Sequence, residues 1–336
     1  MYSFVDKNIF NSPMPVIMAS YIGPGLAPNH DAPWEEEKLP LNTDELVAEI
    51  MGQPMRRAGR FIKMVCCGAL ACLKKVPPDY LKEKKIGIFL STGLGNGDEI
   101  LPFITQVFKH EGGFPSPNQF ANSVSNAAAF FLARLCEVKG VVLTISEEEL
   151  SFESALWLAQ SYLENGEIDL ALVGGCDVFT PTIEEYRERM NLTPNNSRLL
   201  PIGESSSWLL LGRDKEEKIG DILAVQFDAE LVRPKEFSIS ENILSTSEKL
   251  IAMASSKENA GKARFFLPGF RVNEINSNLW KRKGWEVHDY LPYCGIHPVA
   301  SAFGIAHALQ SKPSTLFLHY NCHASGKQAF VVAATK

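Results

Sequence analysis

The sequence predicts a layered α/β protein with a duplicated core. Short apolar segments of strand length alternate with helix-length segments through the 336 residues. The alternation pauses near Asp214 and then begins again with a new strand. Strands separated by helices form sheets whose faces those helices cover. We therefore expect two related halves, residues 1–214 and a shorter second half at 215–336.

The first half supplies its elements in a regular order. The segment "IGIFLSTG" at 86–93 predicts a buried strand that runs into the glycine turn "GLGNG". Segments 119–137 and 146–165 predict helices, and segments 170–175 and 206–212 predict further strands. The helix at 146–165 follows directly on an apolar strand, an arrangement that often presents a functional side chain at the turn between the two.

The second half repeats the alternation with shorter connections. Its predicted strands and helices lie at 222–228 (strand), about 240–255 (helix), 263–270 (strand), 297–309 (helix), 315–320 (strand) and 329–334 (strand). Each strand segment is rich in β-branched or aromatic residues, which favours a pleated, half-buried surface over a helix. We therefore expect the second half to form strands that are covered by helices of its own.

Charge and hydropathy exclude several classes of function. The net charge is −6 and the sequence pI is about 5.7, which argues against nucleic-acid binding because phosphate neutralisation needs clustered basic residues. The longest apolar run, at 64–73, is too short to cross a bilayer, and the first ten residues lack the features of a signal peptide. We expect a soluble, cytoplasmic protein that makes no contact with membranes.

The cysteines predict neither a disulfide framework nor a metal centre. There are seven of them, an odd number spread along the chain, and they lack the paired spacings of zinc sites. Cys66, Cys67 and Cys72 lie within an apolar helix and are interpreted as small core residues. No metal and no cofactor is expected.

Several segments, taken in order, resemble one family. They are "STGLGNG" (91–97), "SPNQFANSVSNAAAFFLARLCEVKG" (116–140), "GEIDLALVGGCD" (166–177), "PIGESSSWLLLGR" (201–213), "CGIHPVASAFGIAHAL" (294–309) and "HYNCHASGKQAF" (319–330). The set is similar to the β-ketoacyl-acyl carrier protein synthases of the thiolase superfamily, over nearly the whole chain. The resemblance implies a thiolase-like, duplicated α-β-α-β-α fold.

The resemblance assigns the nucleophile position to Glu149. Counting without gaps from Lys139-Gly140, or back from 173–175, leads to the same residue. Ketosynthases use a cysteine thiolate there, so the acyl-accepting group is absent. Two interpretations of Glu149 remain open. In one, Ser146 and Glu149 form a capping box at the start of the helix; in the other, Glu149 has a specific role in the pocket.

The remaining catalytic positions are degenerate as well. His297 matches the second histidine of the family, whereas "FFLPGFRVNEIN" (265–276) replaces the segment that carries the first. The lysine expected shortly before the second histidine is missing. At the glycine-rich gate, Cys322 and His323 occur, and adjacent strand residues point to opposite sides. A rearranged active site built from Cys294, His297, Cys322 or His323 is the alternative.

Loss of the catalytic set resembles the chain-length factor of type II polyketide synthases. The resemblance implies a non-catalytic subunit that pairs with a catalytic ketosynthase as a heterodimer and shapes a tunnel for a polyketide carried by an acyl carrier protein. The product class is an aromatic polyketide or an aryl polyene. Chain-length factors usually carry Gln at the cysteine position, whereas this chain has Glu149. A homodimeric acyl-binding scaffold is a further alternative.

The same resemblance suggests which residues size the tunnel and meet the partner. The candidates are Ile100, Gln119, Phe120, Phe130 and Phe131. Ile100 is expected near the floor of the acyl pocket and Gln119 on the segment that reaches across the interface. Ordinary core packing is the alternative for the phenylalanines. The segment 141–145 is expected to be the edge strand that meets the partner.

Overall fold

The computed structural model describes most of the chain. The described residues are 13–24, 39–109, 116–179, 202–213, 217–229, 241–254, 259, 261–269, 271–272 and 274–336. Asp214, where the sequence places the boundary between the halves, lies outside them, so that boundary remains a prediction.

A mixed sheet of ten strands forms the centre of the described residues. The strands are β1 (Met14–Ile22), β2 (Ile86–Ser91), β3 (Val142–Ile145), β4 (Leu170–Asp177), β5 (Ser205–Leu211), β6 (Gly220–Ala229), β7 (Ala263–Pro268), β8 (Glu286–Val287), β9 (Thr315–Cys322) and β10 (Lys327–Thr335). Their spatial order is β3-β2-β4-β5-β1-β6-β10-β9-β7-β8.

The strand order repeats about its middle. In the first five strands β2 is parallel to β3 and β4, and β5 is antiparallel to β4 and β1. In the second five, β7 is parallel to β8 and β9, and β10 is antiparallel to β9 and β6. The two sets meet where β1 pairs with β6. The same five-strand topology therefore occurs twice, as a duplicated core requires.

Helices cover the sheet. They are α1 (Thr43–Met51), α2 (Arg60–Leu73), α3 (Pro78–Leu81), α4 (Gly97–Lys109), α5 (Pro117–Ser123), α6 (Ala127–Leu135), α7 (Ser151–Glu164), α8 (Glu241–Ala254), α9 (Glu274–Arg282), α10 (Leu291–Cys294) and α11 (Ala300–Ser311). None of the helices within the described ranges has the length and hydropathy needed to cross a membrane.

Three apolar cores account for the layers. The largest lies where α7 and α11 pack between the two halves of the sheet, with Phe152, Phe303 and Leu209 among its members. A second core joins α2 and α6 to the outer face of the first half. A third lies against the second half and includes Trp280, which stacks on Phe266 at 5.0 Å between ring centroids. Helices, sheet, helices, sheet and helices follow one another in five layers.

Three predicted helices differ from the observed ones. The segment 119–137 divides into α5 and α6, because Asn96 Nδ2 donates to the carbonyls of Asn122 and Val124 and so ends α5. The segment 146–165 begins with a 3-10 turn at Glu148–Leu150, and α7 starts only at Ser151. The predicted helix at 297–309 starts at Ala300, which leaves His297 in the preceding loop.

One end of the sheet and the helices beside it leave apolar side chains exposed. Strand β3 is the outermost strand at that end, as expected for the segment 141–145. The large hydrophobic side chains that are exposed within the described residues are Leu101, Ile104, Phe108, Phe120, Val124, Phe130, Leu135 and Trp157. All of them lie on α4 to α7 or in the link between α5 and α6, so we call these eight residues the apolar face.

Candidate functional site

Glu149 lies in the 3-10 turn between β3 and α7, and it does not cap a helix. Its side chain is buried, whereas the Ser146 side chain is exposed. Ser151 satisfies the backbone instead: its Oγ accepts a hydrogen bond from the Glu147 amide at 2.8 Å and donates to the Glu148 carbonyl at 2.7 Å. The capping-box interpretation of Ser146 and Glu149 is therefore wrong.

The carboxylate of Glu149 forms a buried ion pair with Arg271. Arg271 Nη2 and Nε donate to Glu149 Oε1 at 2.5 and 3.2 Å, and the two side chains are only 3% and 4% exposed. Arg271 lies in the segment 265–276, which by the resemblance takes the place of the loop with the first histidine. An ion pair thus lies where the resemblance expects a thiol and an imidazole. A carboxylate paired with a guanidinium differs from the thiolate that thioester exchange uses.

A buried polar network lies directly beneath Glu149. Asn321 Nδ2 donates to the Glu149 carbonyl at 2.7 Å and to Glu153 Oε1 at 3.0 Å. His319 Nε2 lies 3.0 Å from the same oxygen of Glu153, and its Nδ1 lies 2.9 Å from the Leu267 carbonyl. This network fixes the first turn of α7 to β9 and β7.

The partners of His319 determine how many protons the network holds. The carbonyl of Leu267 can only accept, so His319 Nδ1 carries a proton. The contact between His319 Nε2 and Glu153 then needs one further proton, which either side chain can carry. The pair is an imidazolium with a carboxylate, or a neutral imidazole with a carboxylic acid. In both forms His319 is held in place by these two contacts, and neither of them involves Glu149.

A glycine lets β7 approach this network closely. A Cβ atom added at Gly269 would lie 2.4 Å from Asn321 Oδ1, closer than any side chain tolerates. The Gly269 amide donates to the Tyr320 carbonyl at 2.8 Å, which holds the loop against β9. Glycine at this position therefore allows the loop to carry Arg271 to Glu149.

His323 lies beside the same turn, on the hairpin between β9 and β10. Its Nε2 contacts the Glu148 carboxylate and lies 3.3 Å from Glu149 Oε2. Lys327, at the start of β10, binds Glu147 Oε1 at 2.8 Å. Binding of Lys327 and of Ser154 holds the pKa of Glu147 below its ordinary value despite partial burial. The glycine-rich gate of the family is thus replaced by a hairpin tied to residues 147–149 by charge.

His297 belongs to a different set of contacts. It is completely buried, its Nε2 lies 3.0 Å from Ser205 Oγ, and its Nδ1 lies 3.5 Å from Asp177 Oδ2. Asp177 also accepts from the Val299 amide and from the Gly93 amide in the glycine turn. These contacts bring the turn and the His297 loop together, whereas the role of His297 remains a prediction.

The cysteines are unsuited to act as displaced nucleophiles. Cys322 is buried, and burial raises the pKa of its thiol to about 12. Burial likewise raises the pKa of Cys294 well above its usual range. Thiolates are the reactive form, so burial disfavours nucleophilic chemistry at both residues near neutral pH. Cys322 and His323 also face different surroundings, the third apolar core and the acidic turn, as expected for neighbours on a strand.

Two of the five tunnel and interface candidates are exposed, and the other three are partly buried. Phe120 and Phe130 are 56% and 61% exposed, so core packing is the wrong interpretation for these two. Phe131 is partly buried and packs against the second apolar core. Ile100 is partly buried in the first turns of α4, and Gln119 is partly buried on α5. Their proposed roles in a tunnel or interface remain predictions.

A cleft of about 530 Å³ opens between α4 and α5 on the same face. Its walls are Asp98, Leu101, Pro102, Thr105, Gln106, Lys109 and Gln119. Asp98 Oδ1 and Gln119 Oε1 are buried there without a hydrogen-bond partner. Burial raises the pKa of Asp98 to about 6.

A family model for the N-terminal domain of β-ketoacyl synthases matches residues 34–205, more than half of the chain. The chain belongs to the β-ketoacyl synthase family. Among curated proteins, Polyketide synthase 37 of Dictyostelium discoideum is 27% identical over 110 residues. That match covers 33% of this β-ketoacyl synthase homologue but only 3% of the much longer Dictyostelium protein.

Solved structures share the fold of this β-ketoacyl synthase homologue. The ishigamide ketosynthase/chain length factor matches with a TM-score of 0.74 at 15% identity, over 96% of this chain and 99% of the other. A type II polyketide synthase acyl carrier protein in complex with its ketosynthase bound to the hexaketide matches with a TM-score of 0.71 at 12% identity, over 97% and 100%. A β-ketoacyl synthase from Burkholderia phymatum matches with a TM-score of 0.71 at 11% identity, over 97% and 100%. The thiolase-like fold class is confirmed.

Sequence reasoning missed Arg271, Glu153, His319 and Asn321 as members of the site. Sequence spacing could have indicated three of them, Glu153, His319 and Asn321. Glu149 and Glu153 are four residues apart at the start of a helix, and His319 and Asn321 are two apart on a strand, so each pair faces one side. Arg271 carries no such local signal, because its partner is 122 residues away in the sequence.

Proposed function

We propose that this β-ketoacyl synthase homologue is a non-catalytic chain-length factor. It pairs with a catalytic ketosynthase and shapes the cavity in which a polyketide on an acyl carrier protein grows. The observation that carries the proposal is the buried ion pair between Glu149, at the position that the resemblance assigns to the nucleophile, and Arg271, in the segment that takes the place of the first histidine's loop. A chain that keeps the fold but has this ion pair in place of the catalytic groups is suited to a structural role in a complex.

The apolar face supports the assignment of a protein partner. Scattered exposed hydrophobic residues are ordinary, but eight large ones along four consecutive helices, beside a strand that is outermost among the described strands, favour an interface. Two of the solved structures described above are, by name, a ketosynthase/chain length factor and a ketosynthase with its carrier protein. A catalytic ketosynthase that covers this face is therefore the proposed partner.

Two other functions compete with this proposal. A condensing or acyl-transfer enzyme with rearranged residues would need a reactive thiol, and burial of Cys294 and Cys322 opposes that. A homodimeric acyl-binding scaffold would use the same apolar face against a second copy. Purification of the chain alone discriminates: a stable, soluble homodimer favours the scaffold, whereas soluble protein only on co-expression with a ketosynthase favours the chain-length factor.

The chain should not become acylated. Thioester exchange needs a thiolate, and Glu149 cannot supply one. After incubation with an acyl-carrier-protein thioester, we expect the intact mass of this chain to stay unchanged, while a catalytic ketosynthase partner in the same sample gains one acyl group. A stoichiometric acyl adduct on any cysteine of this chain would contradict the proposal and favour the enzyme with rearranged residues.

Product length should respond to bulk at the proposed tunnel wall. A growing chain stops where its end meets side chains that cannot move without overpacking. Ile100→Ala or Phe120→Ala should lengthen the product by one or more two-carbon units, and Gln119→Trp should shorten it. Phe120 is 56% exposed, so its replacement should not incur the stability cost of a core cavity.

Mass spectrometry of products from the reconstituted complex measures the chain length. Phe108→Ala is a matched control for Phe120→Ala, because Phe108 is also an exposed phenylalanine but lies at the far end of α4. Unchanged product length in Ile100→Ala, Phe120→Ala and Gln119→Trp, with intact complexes, would assign the sizing wall to other residues.

A further inference from the structure

Three side chains from distant parts of the chain bring metal-ligand atoms together. A carboxylate oxygen from each of Glu148 and Glu149 and a ring nitrogen of His323 lie within 4.8 Å of one another. Glu148 and Glu149 lie in the turn before α7, and His323, 175 residues beyond Glu148, lies on the hairpin after β9. No step of the proposed function uses this cluster.

The second oxygen of Glu149 faces the cluster without a hydrogen bond. Glu149 is 3% exposed, and Arg271 binds only Oε1. Oε2 is buried, makes no hydrogen bond and lies 3.3 Å from His323 Nε2. A buried carboxylate oxygen left in this way is costly, and such groups in folded proteins usually have a bound ion, a water or another partner.

We propose that Glu148, Glu149 and His323 bind a divalent first-row transition cation such as Zn²⁺. One imidazole nitrogen and two carboxylate oxygens form a ligand set that suits such cations. Three protein ligands leave a coordination position for water or an oxygen of a bound molecule. The cation would supply a positive charge to Glu149 Oε2, the oxygen that Arg271 does not bind.

The surroundings of His323 provide the supporting contact that metal-binding histidines have. Ser325 Oγ lies 2.7 Å from His323 Nδ1, and the Ser325 amide donates to the same nitrogen at 3.1 Å, so Nε2 carries the proton that contacts Glu148. Coordination through Nε2 would place that proton on Nδ1 instead, where Ser325 Oγ can accept it. In the absence of the cation, a proton on Nε2 can occupy the same place through the contact with Glu148. Proton and metal therefore compete for one site, and a direct binding measurement distinguishes them.

A bound cation would add a strong link between two segments already joined by charge. Lys327 binds Glu147 at 2.8 Å, and His323 contacts Glu148, so both tie the β9–β10 hairpin to the turn before α7. Coordination by ligands from both segments would hold the hairpin over Glu149. The cation should accordingly raise the stability of the folded chain through its binding free energy.

Zn²⁺ titration of the EDTA-treated protein, as the chain or its purified complex, tests the site by calorimetry and thermal unfolding. We expect one equivalent to bind and to raise Tm. Glu148→Gln and His323→Gln should each weaken binding by about 100-fold or more, since even supporting contacts contribute about 10- to 100-fold. Ser325→Ala should weaken it by about tenfold. Glu147→Gln is the matched control and should leave the affinity within about threefold, inside the usual context scatter.

Glu148→Gln is the decisive variant. The side chain of Glu148 is 57% exposed, so its substitution leaves the core intact, and unfolding in EDTA verifies this. Failure of the wild-type protein to bind Zn²⁺, or stoichiometric binding that both Glu148→Gln and His323→Gln leave undiminished, would overturn the proposal. Binding lost equally in Glu147→Gln would also overturn it, because the effect would then report the charge of the turn rather than ligation.

Discussion

Glu149→Ala should destabilise the folded protein by about 3–5 kcal/mol, because it leaves the guanidinium of Arg271 buried without the carboxylate that compensates its charge. Loss of a helix cap would cost only about 0.5–2 kcal/mol. Arg271→Met should have an effect of similar size, since it leaves the buried carboxylate without its cation. Urea unfolding in the presence of EDTA measures both free energies without a contribution from bound metal.

A double variant tests whether the loss of stability comes from an uncompensated buried charge or only from a lost contact. Replacing both partners by apolar side chains of similar volume is often neutral or stabilising, so Glu149→Leu combined with Arg271→Met should recover most of the loss. Lys327→Ala is a control that breaks an ion pair of exposed residues, with side chains 58% and 40% exposed, and should cost less than about 1 kcal/mol. Additive losses in the double variant would contradict a coupled, buried pair.

The strands were predictable because their sequence signal is local. "LALVGG" and "AFVVAA" each lie within an observed strand, β4 and β10, and both strands are almost wholly buried. Continuous apolar runs of this kind are typical of strands covered on both faces. The repeat of the alternation along the chain was enough to predict a duplicated α/β core, which the topology shows.

Features decided by contacts between distant residues were not predictable in the same way. The break between α5 and α6 depends on Asn96, which lies 26 residues before the carbonyl of Asn122 that it binds. The late start of α11 coincides with donation from the Val299 amide to Asp177, 122 residues earlier. Neither contact leaves a periodic signal in the helix that it shortens.

The candidate site likewise combines a feature that the sequence predicts with features that depend on distant contacts. The expectation that Glu149 takes the place of the nucleophile came from the sequence, because it needs only the resemblance and a count of residues. The replacement chemistry could not, because Arg271 meets Glu149 only through the loop that Gly269 allows against β9. The capping-box pattern at Ser146 satisfied a local rule, but the buried charge at Arg271 outweighs the hydrogen bonds that a cap would supply.

Blocking the outer edge of β3, which pairs with no further strand of the described residues, should abolish pairing with the partner. The Val141 carbonyl accepts from the Ile88 amide in β2, and the Ile145 carbonyl accepts from the Thr92 amide just after β2, so Val141, Leu143 and Ile145 direct their backbone groups toward β2. Successive residues of a strand alternate in direction, so Val142 and Thr144 direct theirs outward. The outward amide of Thr144 is therefore a donor available to a strand of the partner.

Thr144→Pro removes that donor, and proline is tolerated on an edge strand where its nitrogen faces away from the ladder. We expect the chain to keep its fold and to lose co-purification with the ketosynthase, because the ring of proline also keeps a second strand from approaching. Thr144→Val, which keeps the amide and the shape, should retain the complex. Leu143→Pro should instead disrupt the fold itself, because the amide of Leu143 faces β2. Co-expression with a tagged ketosynthase followed by size-exclusion chromatography measures the outcome, and an intact heterodimer with Thr144→Pro would show that the partner does not extend this sheet.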